Sequence, residues 1–367
     1  MNKTLKVAVI GLGFGAEFVP IYQDYSLTQC YAVCRRDRQK LEAFADEFQI
    51  EKRYTDYDQL LQDPEIDAVH INTAIADHAS MSIKALKAGK HVACTVPMGL
   101  TVDECAQIVQ LERETGKVYM MMETSVYTRE YLFAKEMVQS GKIGRIQFVR
   151  GSHQQNMGLP GWPDYWYGFP PMYYGTHAIA PVADLIGKPI RSVRCYGSGR
   201  IREDYIPKYG SPYAVETSQL LFETSDVAAE VTRSLFDTIR QYRESFDLYG
   251  SNMSFEWEQL ADESPVVYSG IEDAQRVIVP DTDHLLPPEI AKYALRNQII
   301  DKDHVSFVQG AGHGGSHPHL VQEFVSAILE GRHAKIDAAT AANWTLAGIL
   351  SHQSAMEGGK EIVLPQF

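Results

Sequence analysis

Cysteine is scarce in this sequence. The 367 residues include five cysteines, an odd number, and these are scattered and mostly embedded in apolar runs. Cysteines paired at short, regular spacing would indicate a disulfide framework or a zinc site. Neither pattern occurs, so we expect reduced core residues at all five positions: Cys30, Cys34, Cys94, Cys105 and Cys195.

The sequence also lacks an excess of basic residues and lacks long apolar runs. Its 34 lysines and arginines are outnumbered by 47 aspartates and glutamates, which gives a formal net charge of -13. Such a surface repels nucleic acid and anionic membranes, so we expect neither as a partner. No apolar stretch approaches the roughly 20 residues of a membrane-spanning helix, and the apolar run before Gly11 is too short for a signal peptide. We therefore expect a cytoplasmic protein.

A glycine-rich turn near the start of the chain carries the first functional signal. A β-branched apolar run, residues 6–10, leads directly into Gly-Leu-Gly-Phe-Gly-Ala at 11–16 and then into a helix-like stretch. In a dinucleotide-binding turn one glycine permits the tight turn, a second lets the backbone approach a pyrophosphate, and a small residue lets the helix pack closely. Free helix N–H groups then face the phosphates. We predict such a site at Gly11, Gly13, Phe14, Gly15 and Ala16. The alternative is a tight turn that binds nothing.

The end of the second predicted strand selects between two nucleotides. In an NAD site a carboxylate at this position accepts hydrogen bonds from the ribose 2'-hydroxyl. Here Arg35 and Arg36 follow the strand at 29–34. A guanidinium pairs with a 2'-phosphate, which a carboxylate repels. The sequence therefore favours NADP over NAD. In the alternative interpretation both arginines are solvated and Asp37 holds the ribose.

The pattern of elements changes near residue 122. Up to that point strands alternate with helices, as a parallel doubly wound sheet requires. From residue 146 the strands follow one another with alternating burial, which is typical of an antiparallel sheet with one buried face. We therefore predict an α/β protein with a Rossmann domain at 1–122 and an α+β domain at 123–367 that carries a mainly antiparallel open sheet. The predicted strands of the second domain are 146–154, 190–197, 215–223, 227–236, 245–250, 253–257 and 275–279, and helices at 320–330 and 340–356 finish the chain.

The segment 77–92, Asp-His-Ala-Ser-Met-Ser-Ile-Lys-Ala-Leu-Lys-Ala-Gly-Lys-His-Val, in this domain arrangement resembles the Gfo/Idh/MocA oxidoreductase family over essentially the whole chain. The resemblance implies NAD(P)-linked oxidation or reduction of a sugar or polyol hydroxyl. It also implies that Thr73 and His78 lie along the cofactor. Members of this family commonly form dimers or tetramers through the open face of the second sheet, so we expect a homo-oligomer.

Two motifs depart from the usual pattern of that family. Most members carry Glu-Lys-Pro where this chain has Thr95-Val96-Pro97, and valine cannot move a proton. The family's Asp-x-Gly-x-His becomes Tyr-Tyr-Gly-Thr-His at 173–177, so the histidine remains and the aspartate does not. A lysine-assisted dehydrogenase mechanism is therefore not expected, although Thr95 and Pro97 still match cofactor-side positions.

The segments 96–105, 119–127 and 174–182 are similar to the NAD-dependent glycosidases of glycoside hydrolase family 109. That family oxidises the sugar C3 hydroxyl, eliminates the aglycone, adds water and returns the hydride. The resemblance implies that His177 and Tyr174 handle the protons and that Glu123 and Tyr127 line the nicotinamide or sugar site. His153 stands where that branch tends to carry a tyrosine.

Proton chemistry independently selects His177. Hydride transfer from a carbinol needs a base for the hydroxyl proton, and an imidazole titrates near neutral pH. The alternative is a histidine satisfied inside the following helix. Tyr174 lies one helical turn earlier and either shares that proton or simply packs in the core.

Two further segments are candidates for substrate contact. The aromatic segment 162–174, with Trp162 and Trp166, is expected either to form an apolar platform for sugar faces or to pack on itself. The glycine-rich segment 310–319 precedes a helix, and Ser316 is placed to cap it. Its histidines suggest a metal, but no carboxylate or cysteine lies at ligand spacing, so we predict no metal site. We expect His313 or His317 to reach the sugar instead.

Three classes of function remain open at this point. The first is an NAD(P)-dependent oxidoreductase acting on a carbohydrate, with net turnover of the cofactor. The second is the redox-neutral glycosidase cycle. The third is a regulator that senses a dinucleotide without catalysis. The retained His177 argues against the third, and the arginine pair, which suits an exchangeable NADP, places the first ahead of the second.

Overall fold

A parallel sheet of six strands forms around the glycine-rich turn. The structure is a computed structural model that describes residues 4–240, 242–260, 263–296 and 311–367. The strand order is β3-β2-β1-β4-β5-β6, and every pair is parallel, which is the doubly wound order of dinucleotide-binding domains. The strands are β1 Leu5–Ile10, β2 Thr28–Cys34, β3 Lys52–Tyr54, β4 Ala68–Ile71, β5 His91–Cys94 and β6 Tyr119–Met121.

Helices connect these strands, and their ends follow local sequence signals. The last connecting helix begins with a capping box. The Thr101 hydroxyl oxygen accepts the Glu104 backbone N–H, and the Glu104 carboxylate accepts the Thr101 backbone N–H. It ends at Gly116, which adopts the left-handed conformation that favours glycine. These helices are α1 Val19–Asp24, α2 Arg38–Glu47, α3 Tyr57–Leu61, α4 Ile75–Lys87 and α5 Val102–Thr115.

A second, nine-stranded sheet follows in the chain. Its order is β14-β13-β12-β11-β7-β10-β9-β8-β15. Only the central pair, β7 with β10, is parallel, and the other described pairs are antiparallel, which confirms a mainly antiparallel sheet. The strands are β7 Ile146–Gln154, β8 Ile190–Ser198, β9 Val215–Phe222, β10 Ala228–Ser234, β11 Arg243–Gly250, β12 Ser254–Glu256, β13 Val266–Tyr268, β14 Ala274–Arg276 and β15 Ile362–Val363.

The remaining helices follow β6 in the chain. In the ranges that the structure describes, no helix is both long enough and apolar enough to cross a membrane. The helices are α6 Arg129–Gln139, α7 Thr176–Ile186, α8 Ile206–Tyr209, α9 Pro288–Ala291, α10 Ala311–Gly315, α11 His317–Glu330 and α12 Ala338–Met356.

The chain divides into two compact units. The first is drawn from Met1–Arg129, Asp281–Ala342 and Phe367, and the second from Glu130–Pro280 and Asn343–Gln366. The first unit extends beyond 1–122 because the returning segment bonds to its sheet and helices. The Met121 N–H donates to the Ile336 carbonyl at 3.1 Å, and the Ala338 N–H donates to the Glu112 carboxylate at 3.3 Å.

Several local predictions differ from the structure. The stretch after the glycine turn is a 3-10 helix, Phe14–Phe18, and α1 begins only afterwards, with a proline in its first turn. Strand β13 was not predicted, and β14 ends at Arg276 rather than at residue 279. The prediction that Ser316 caps α11 is wrong. Ser316 occupies the N-cap position with helical angles (φ -74, ψ -29) and its side chain makes no capping bond, since capping requires an extended backbone.

Candidate active site

The glycine-rich turn has the shape that a dinucleotide needs. Gly11 has φ +83, and a Cβ atom there would lie 2.4 Å from the carbonyl oxygen of Asn72, so only glycine fits. Gly15 packs closely as well, because its Cβ would lie 3.0 Å from Val9. Gly13 is exposed and has no atom within 4 Å of a Cβ position, which leaves its backbone open to a ligand. Phe14 is half-buried beside it and Ala16 is buried. These residues therefore fit the pyrophosphate of a dinucleotide.

Two arginines follow β2 at the position predicted to meet the nucleotide ribose. Arg36 is exposed and Arg35 is half-buried. The Asp37 carboxylate accepts the Lys40 N–H at 3.1 Å and caps α2. This cap bond uses one of the two oxygens of the exposed Asp37 carboxylate, so both interpretations of the ribose site stay predictions.

Four residues predicted on the cofactor side form one hydrogen-bonded cluster. His78 is buried, its Nδ1 lies 2.8 Å from the Pro97 carbonyl oxygen, and its Nε2 lies 3.1 Å from the Thr73 carbonyl oxygen. The Thr95 hydroxyl lies 3.2 Å from the same Nε2. Burial lowers the pKa of His78, which favours the neutral form with a single N–H. The contacts of Nδ1 with Pro97 and of Nε2 with Thr95 and Thr73 connect the loops after β4 and β5.

Glu123 and Tyr127 lie in the first unit, at the carboxyl end of β6. The buried Glu123 carboxylate accepts the Ser125 N–H at 3.0 Å and the Ser125 hydroxyl at 2.8 Å, which fixes the short 3-10 turn Thr124–Val126. Tyr127 is buried, and its ring is parallel to His319 at 6.3 Å. The Thr282 hydroxyl contacts His319 at 2.8 Å. Glu123 therefore stabilises the turn that follows β6, and Tyr127 packs against His319. Contact of either residue with the nicotinamide or the sugar stays a prediction.

The second unit places the catalytic candidates through one close approach. A Cβ atom at Gly151 of β7 would lie 2.2 Å from the carbonyl oxygen of Ala178 in α7. Only glycine lets the helix lie directly on the strand at this point. His177, in the first turn of α7, is thereby held against His153 of the same strand, and the two ring centroids are 5.0 Å apart.

Strand register adds charged groups to these imidazoles. His153 is the direct cross-strand partner of Arg233 on β10 and of Glu244 on β11. The Glu244 carboxylate lies 3.8 Å from His153 Nε2 and 3.9 Å from His177 Nδ1. The Tyr242 hydroxyl donates to the same carboxylate at 2.6 Å. A carboxylate at this distance stabilises an imidazolium, and so assists a histidine that accepts a proton.

His177 and Tyr174 form a side-chain contact between two groups that are able to carry a proton. His177 Nε2 lies 3.2 Å from the Tyr174 hydroxyl oxygen. The guanidinium carbon of Arg233 lies 5.2 Å from the centroid of the Tyr174 ring. Arg233 is completely buried, and burial lowers the pKa of its guanidinium to about 10, which leaves it charged at neutral pH. A cation over the ring favours negative charge on the phenol oxygen.

Arg233 also fixes the backbone around the pair. Its Nε donates to the Tyr174 carbonyl at 2.8 Å, and Nη1 donates to the carbonyls of His153 at 3.1 Å and Ser234 at 2.7 Å. Nη2 donates to the Gln155 side-chain oxygen at 2.9 Å. One side chain therefore joins the turn that carries Tyr174 to the two central strands.

A buried carboxylate and imidazole hold the same turn from its other end. Glu216 accepts the Met172 N–H at 2.8 Å, within the 3-10 turn Pro171–Tyr174, and lies 2.6 Å from His352 Nδ1. The ring of Tyr173 packs edge-on against His352 at 5.2 Å. Tyr173, which stands where the family pattern has an aspartate, is thus part of the support rather than of the proton chemistry.

The aromatic segment is anchored beside Tyr174. Trp166 is buried, and its ring is 4.9 Å from that of Tyr174 and 6.4 Å from that of Trp162. Trp162 is half-buried. The segment therefore packs partly on itself, while Trp166 brings an apolar wall to the catalytic candidates.

Two of the three histidines in the glycine-rich segment 310–319, His313 and His317, were predicted to reach the sugar, and they lie in the first unit. The ring of Phe14 is 5.3 Å from His313 and 5.5 Å from His317. They therefore sit against the nucleotide-binding turn, and contact with a sugar remains a prediction. Gly310, at the start of that segment, is outside the described residues.

Two family models match the chain, one in its Rossmann domain and one in the part that follows. Residues 5–123 match the model described as "Oxidoreductase family, NAD-binding Rossmann fold", and residues 131–256 match the GFO/IDH/MocA C-terminal domain. The chain belongs to the Gfo/Idh/MocA oxidoreductase family. Its first domain is accordingly an NAD-binding Rossmann domain, and the glycine turn described above fits that nucleotide.

Relatives within the Gfo/Idh/MocA family have two kinds of name. A "Glycosyl hydrolase family 109 protein" of Shewanella putrefaciens is 26% identical over 345 residues, covering 85% of this chain and 71% of the relative. An "Inositol 2-dehydrogenase" of Salmonella paratyphi B is 28% identical over 199 residues, covering 53% of this chain and 58% of the relative. Among solved structures, levoglucosan dehydrogenase in complex with NADH and levoglucosan has a TM-score of 0.80 at 21% identity, covering 99% of this chain and all of that one. The last likeness shows the fold.

Arg233, Tyr242 and Glu244 were not found from the sequence. Each is a polar residue in or beside a predicted strand, where strict alternation leaves both faces populated. Their proximity to His153 follows from the register of three strands that are distant in the chain. In a Gfo/Idh/MocA sequence that lacks the usual lysine and aspartate, the useful signal is a charged residue on the buried face of a central strand.

Proposed function

We infer that this protein transfers a hydride between a carbinol carbon of a sugar or glycoside and a bound nicotinamide nucleotide, with His177 as acid and base. The observation that carries this inference is the pair formed by His177 and Tyr174, beside a cross-strand row of the buried His153 and Arg233 and the half-buried Glu244. The bound nicotinamide supplies the hydride acceptor or donor. The chain must therefore bind it and handle the hydroxyl proton.

The first unit contains the residues that bind the nucleotide. The open backbone at Gly13 and the close packing at Gly11 and Gly15 fit the pyrophosphate. Arg35 and Arg36 suit the 2'-phosphate of NADP, because a guanidinium pairs bidentately with phosphate oxygens. We therefore infer a preference for NADP within a family whose domain binds NAD.

The proton route follows the contacts in the second unit. When the carbinol carbon loses its hydride, the hydroxyl proton passes to the Tyr174 oxygen, and the Tyr174 proton passes to His177 Nε2 across the 3.2 Å contact. Glu244, 3.9 Å from Nδ1, stabilises the resulting imidazolium. Arg233 favours negative charge on the Tyr174 oxygen during the transfer. The reverse route serves carbonyl reduction.

A redox-neutral glycosidase is the second candidate. The names of the family 109 relatives support it, and so does the presence of a second imidazole, His153, packed against His177. Elimination of an aglycone after oxidation needs one group to remove the proton beside the new carbonyl and another to protonate the leaving oxygen. Two imidazoles and a phenol supply enough proton carriers for that sequence. A regulator without catalysis would not need these proton carriers.

The test is a panel of free sugars and glycosides incubated with the protein and NAD or NADP. Nucleotide absorbance and released aglycone are followed in the same tube, and His177→Asn serves as the blank. Absorbance change equal to the substrate consumed supports the dehydrogenase. Aglycone release with no net nucleotide change supports the glycosidase. Neither signal across the panel, with nucleotide still bound, would favour the regulator.

A further inference from the structure

A second cluster of ligand-bearing side chains lies beside the nucleotide-binding turn, entirely within the first unit. Glu17 comes from the 3-10 helix Phe14–Phe18, while His313 and His317 come from α10 and α11. The Glu17 Oε2 atom lies 3.2 Å from His317 Nδ1. One ligand atom from each of the three residues lies within 4.8 Å of the others.

This cluster is buried in an aromatic surrounding. Glu17 is 2% exposed and His317 is 4% exposed. The ring of Phe18 lies 4.5 Å from His317, and the rings of Phe14 and His313 are 5.3 Å apart. Burial of an ionised carboxylate is costly unless it is paired or coordinates a metal, and His317 is one partner of Glu17.

Independent polar atoms point to the same place. Within the described ranges, His317 Nε2, Ser316 Oγ and His70 Nε2 are buried and have no hydrogen-bond partner. The His70 ring packs on Phe18, next to His317. Buried polar groups of proteins are nearly always satisfied, so these exceptions indicate that further groups bind in this region. They lie beside the proposed ligand atoms, because the His317 atom that faces Glu17 is Nδ1.

The backbone is strained so as to bring His313 to the cluster. His313 has φ +47, an uncommon conformation for a residue with a side chain. Gly314 and Gly315 follow with φ +63 and +83, so the chain makes a left-handed turn between the two histidines. Backbone strain of this kind recurs at ligand sites.

We propose that Glu17, His313 and His317 form a binding site for a divalent transition-metal cation of the size of Zn²⁺. Two imidazoles and one carboxylate are an established ligand set for zinc, and the half-buried His313 leaves a path for entry. Ligand atoms about 2.1 Å from a tetrahedral ion stand about 3.4 Å apart, close to the observed separation of Glu17 and His317. The sequence did not reveal this site because Glu17 is far from the histidines in the chain.

A bound cation would link the segment 313–317 to Glu17, which lies in the 3-10 helix Phe14–Phe18 at the nucleotide-binding turn. The contacts of Phe14 with both histidines already place these parts together. Two other groups of potential ligands exist in the described residues, His153 with His177 and Glu244, and Glu112 with His333 and Asp337. The first belongs to the active site above, and in the second His333 is exposed. Variants of these two groups therefore serve as controls for metal binding at Glu17, His313 and His317.

The experiment measures metal uptake by the full-length, nucleotide-free protein after chelator treatment. Zn²⁺ binding is followed by calorimetry and by metal content after desalting, and Co²⁺ binding by the visible absorption of a tetrahedral complex. We expect one ion per chain. Affinity should fall at least 100-fold in Glu17→Gln and His313→Asn, and His153→Gln and His333→Gln should bind as the wild type does.

The half-buried His313 makes His313→Asn the variant least exposed to folding failure, and its thermal midpoint verifies the fold. Uptake lost in His153→Gln but kept in His313→Asn would move the metal to the active site and overturn the proposal. So would uptake below half an ion per chain, which would leave water as the partner of the buried polar atoms.

Discussion

The contact between Gly151 and α7 makes the strongest prediction about the active site. In Gly151→Ala the new Cβ atom would lie 2.2 Å from the Ala178 carbonyl oxygen, whereas ordinary contacts of this kind begin near 3.4 Å. The helix backbone must therefore move by about 1 Å. Overpacking of this kind costs typically 1–3 kcal/mol of stability. Because His177 precedes Ala178, the same shift displaces the imidazole, and a misplacement of 1 Å reduces turnover by about 100-fold.

Three measurements separate these effects. Turnover of the best substrate of the sugar panel should fall by about 100-fold, and the unfolding midpoint should fall by several degrees, at roughly 2–4 °C per kcal/mol for a unit of this size. Nucleotide affinity should be unchanged, since the nucleotide-binding turn lies in the other unit. Gly270→Ala is the matched control, because its Cβ would meet only the Asp273 side chain at 3.6 Å. Wild-type turnover and stability in Gly151→Ala would refute the close packing of α7 on β7 as the device that places His177.

Three further predictions concern the cofactor, pH and assembly. Arg35→Ala or Arg36→Ala should weaken NADP binding about tenfold or more while NAD binding changes little, as measured by fluorescence titration; equal losses would contradict the 2'-phosphate interpretation. Burial lowers the pKa of His319 to about 4, so between pH 6.5 and 4 the unfolded chain binds a proton that the folded chain does not, and stability falls as the pH falls. His319→Asn should therefore reduce the difference in unfolding free energy between pH 7 and pH 5 by about 2 kcal/mol in urea titrations, and an undiminished difference would show that His319 is not responsible. Sedimentation should give the mass of a dimer or tetramer, and a monomer would remove the expected assembly.

Local sequence signals were sufficient for most of the fold. The strand at 146–154 has the predicted bounds, because the alternation of apolar and polar residues is read directly from neighbouring residues. The same signals failed where tertiary structure decides. Strand β13 has three residues, too few for a period, and Ser316 was misjudged because its backbone is helical.

The active site was predictable only in part. His177 and Tyr174 were selected by chemistry and by resemblance, and the structure brings them together. Glu244 and Arg233 join them through the register of β7, β10 and β11, which depends on pairing between strands that are far apart in the chain. Glu17 and His317 are also far apart in the chain, and only the folding of the first unit brings them together. Residue types therefore indicated the chemistry, while the charges that tune it required the tertiary structure.

The most direct test of the catalytic assignment is turnover by His177→Ala on the best substrate of the panel, measured beside its affinity for the nucleotide. The account predicts that turnover falls by at least about 100-fold, the usual contribution of a positioned acid and base, while the nucleotide dissociation constant stays within twofold. Turnover equal to that of the wild type would contradict the assignment of His177 as the group that moves the proton.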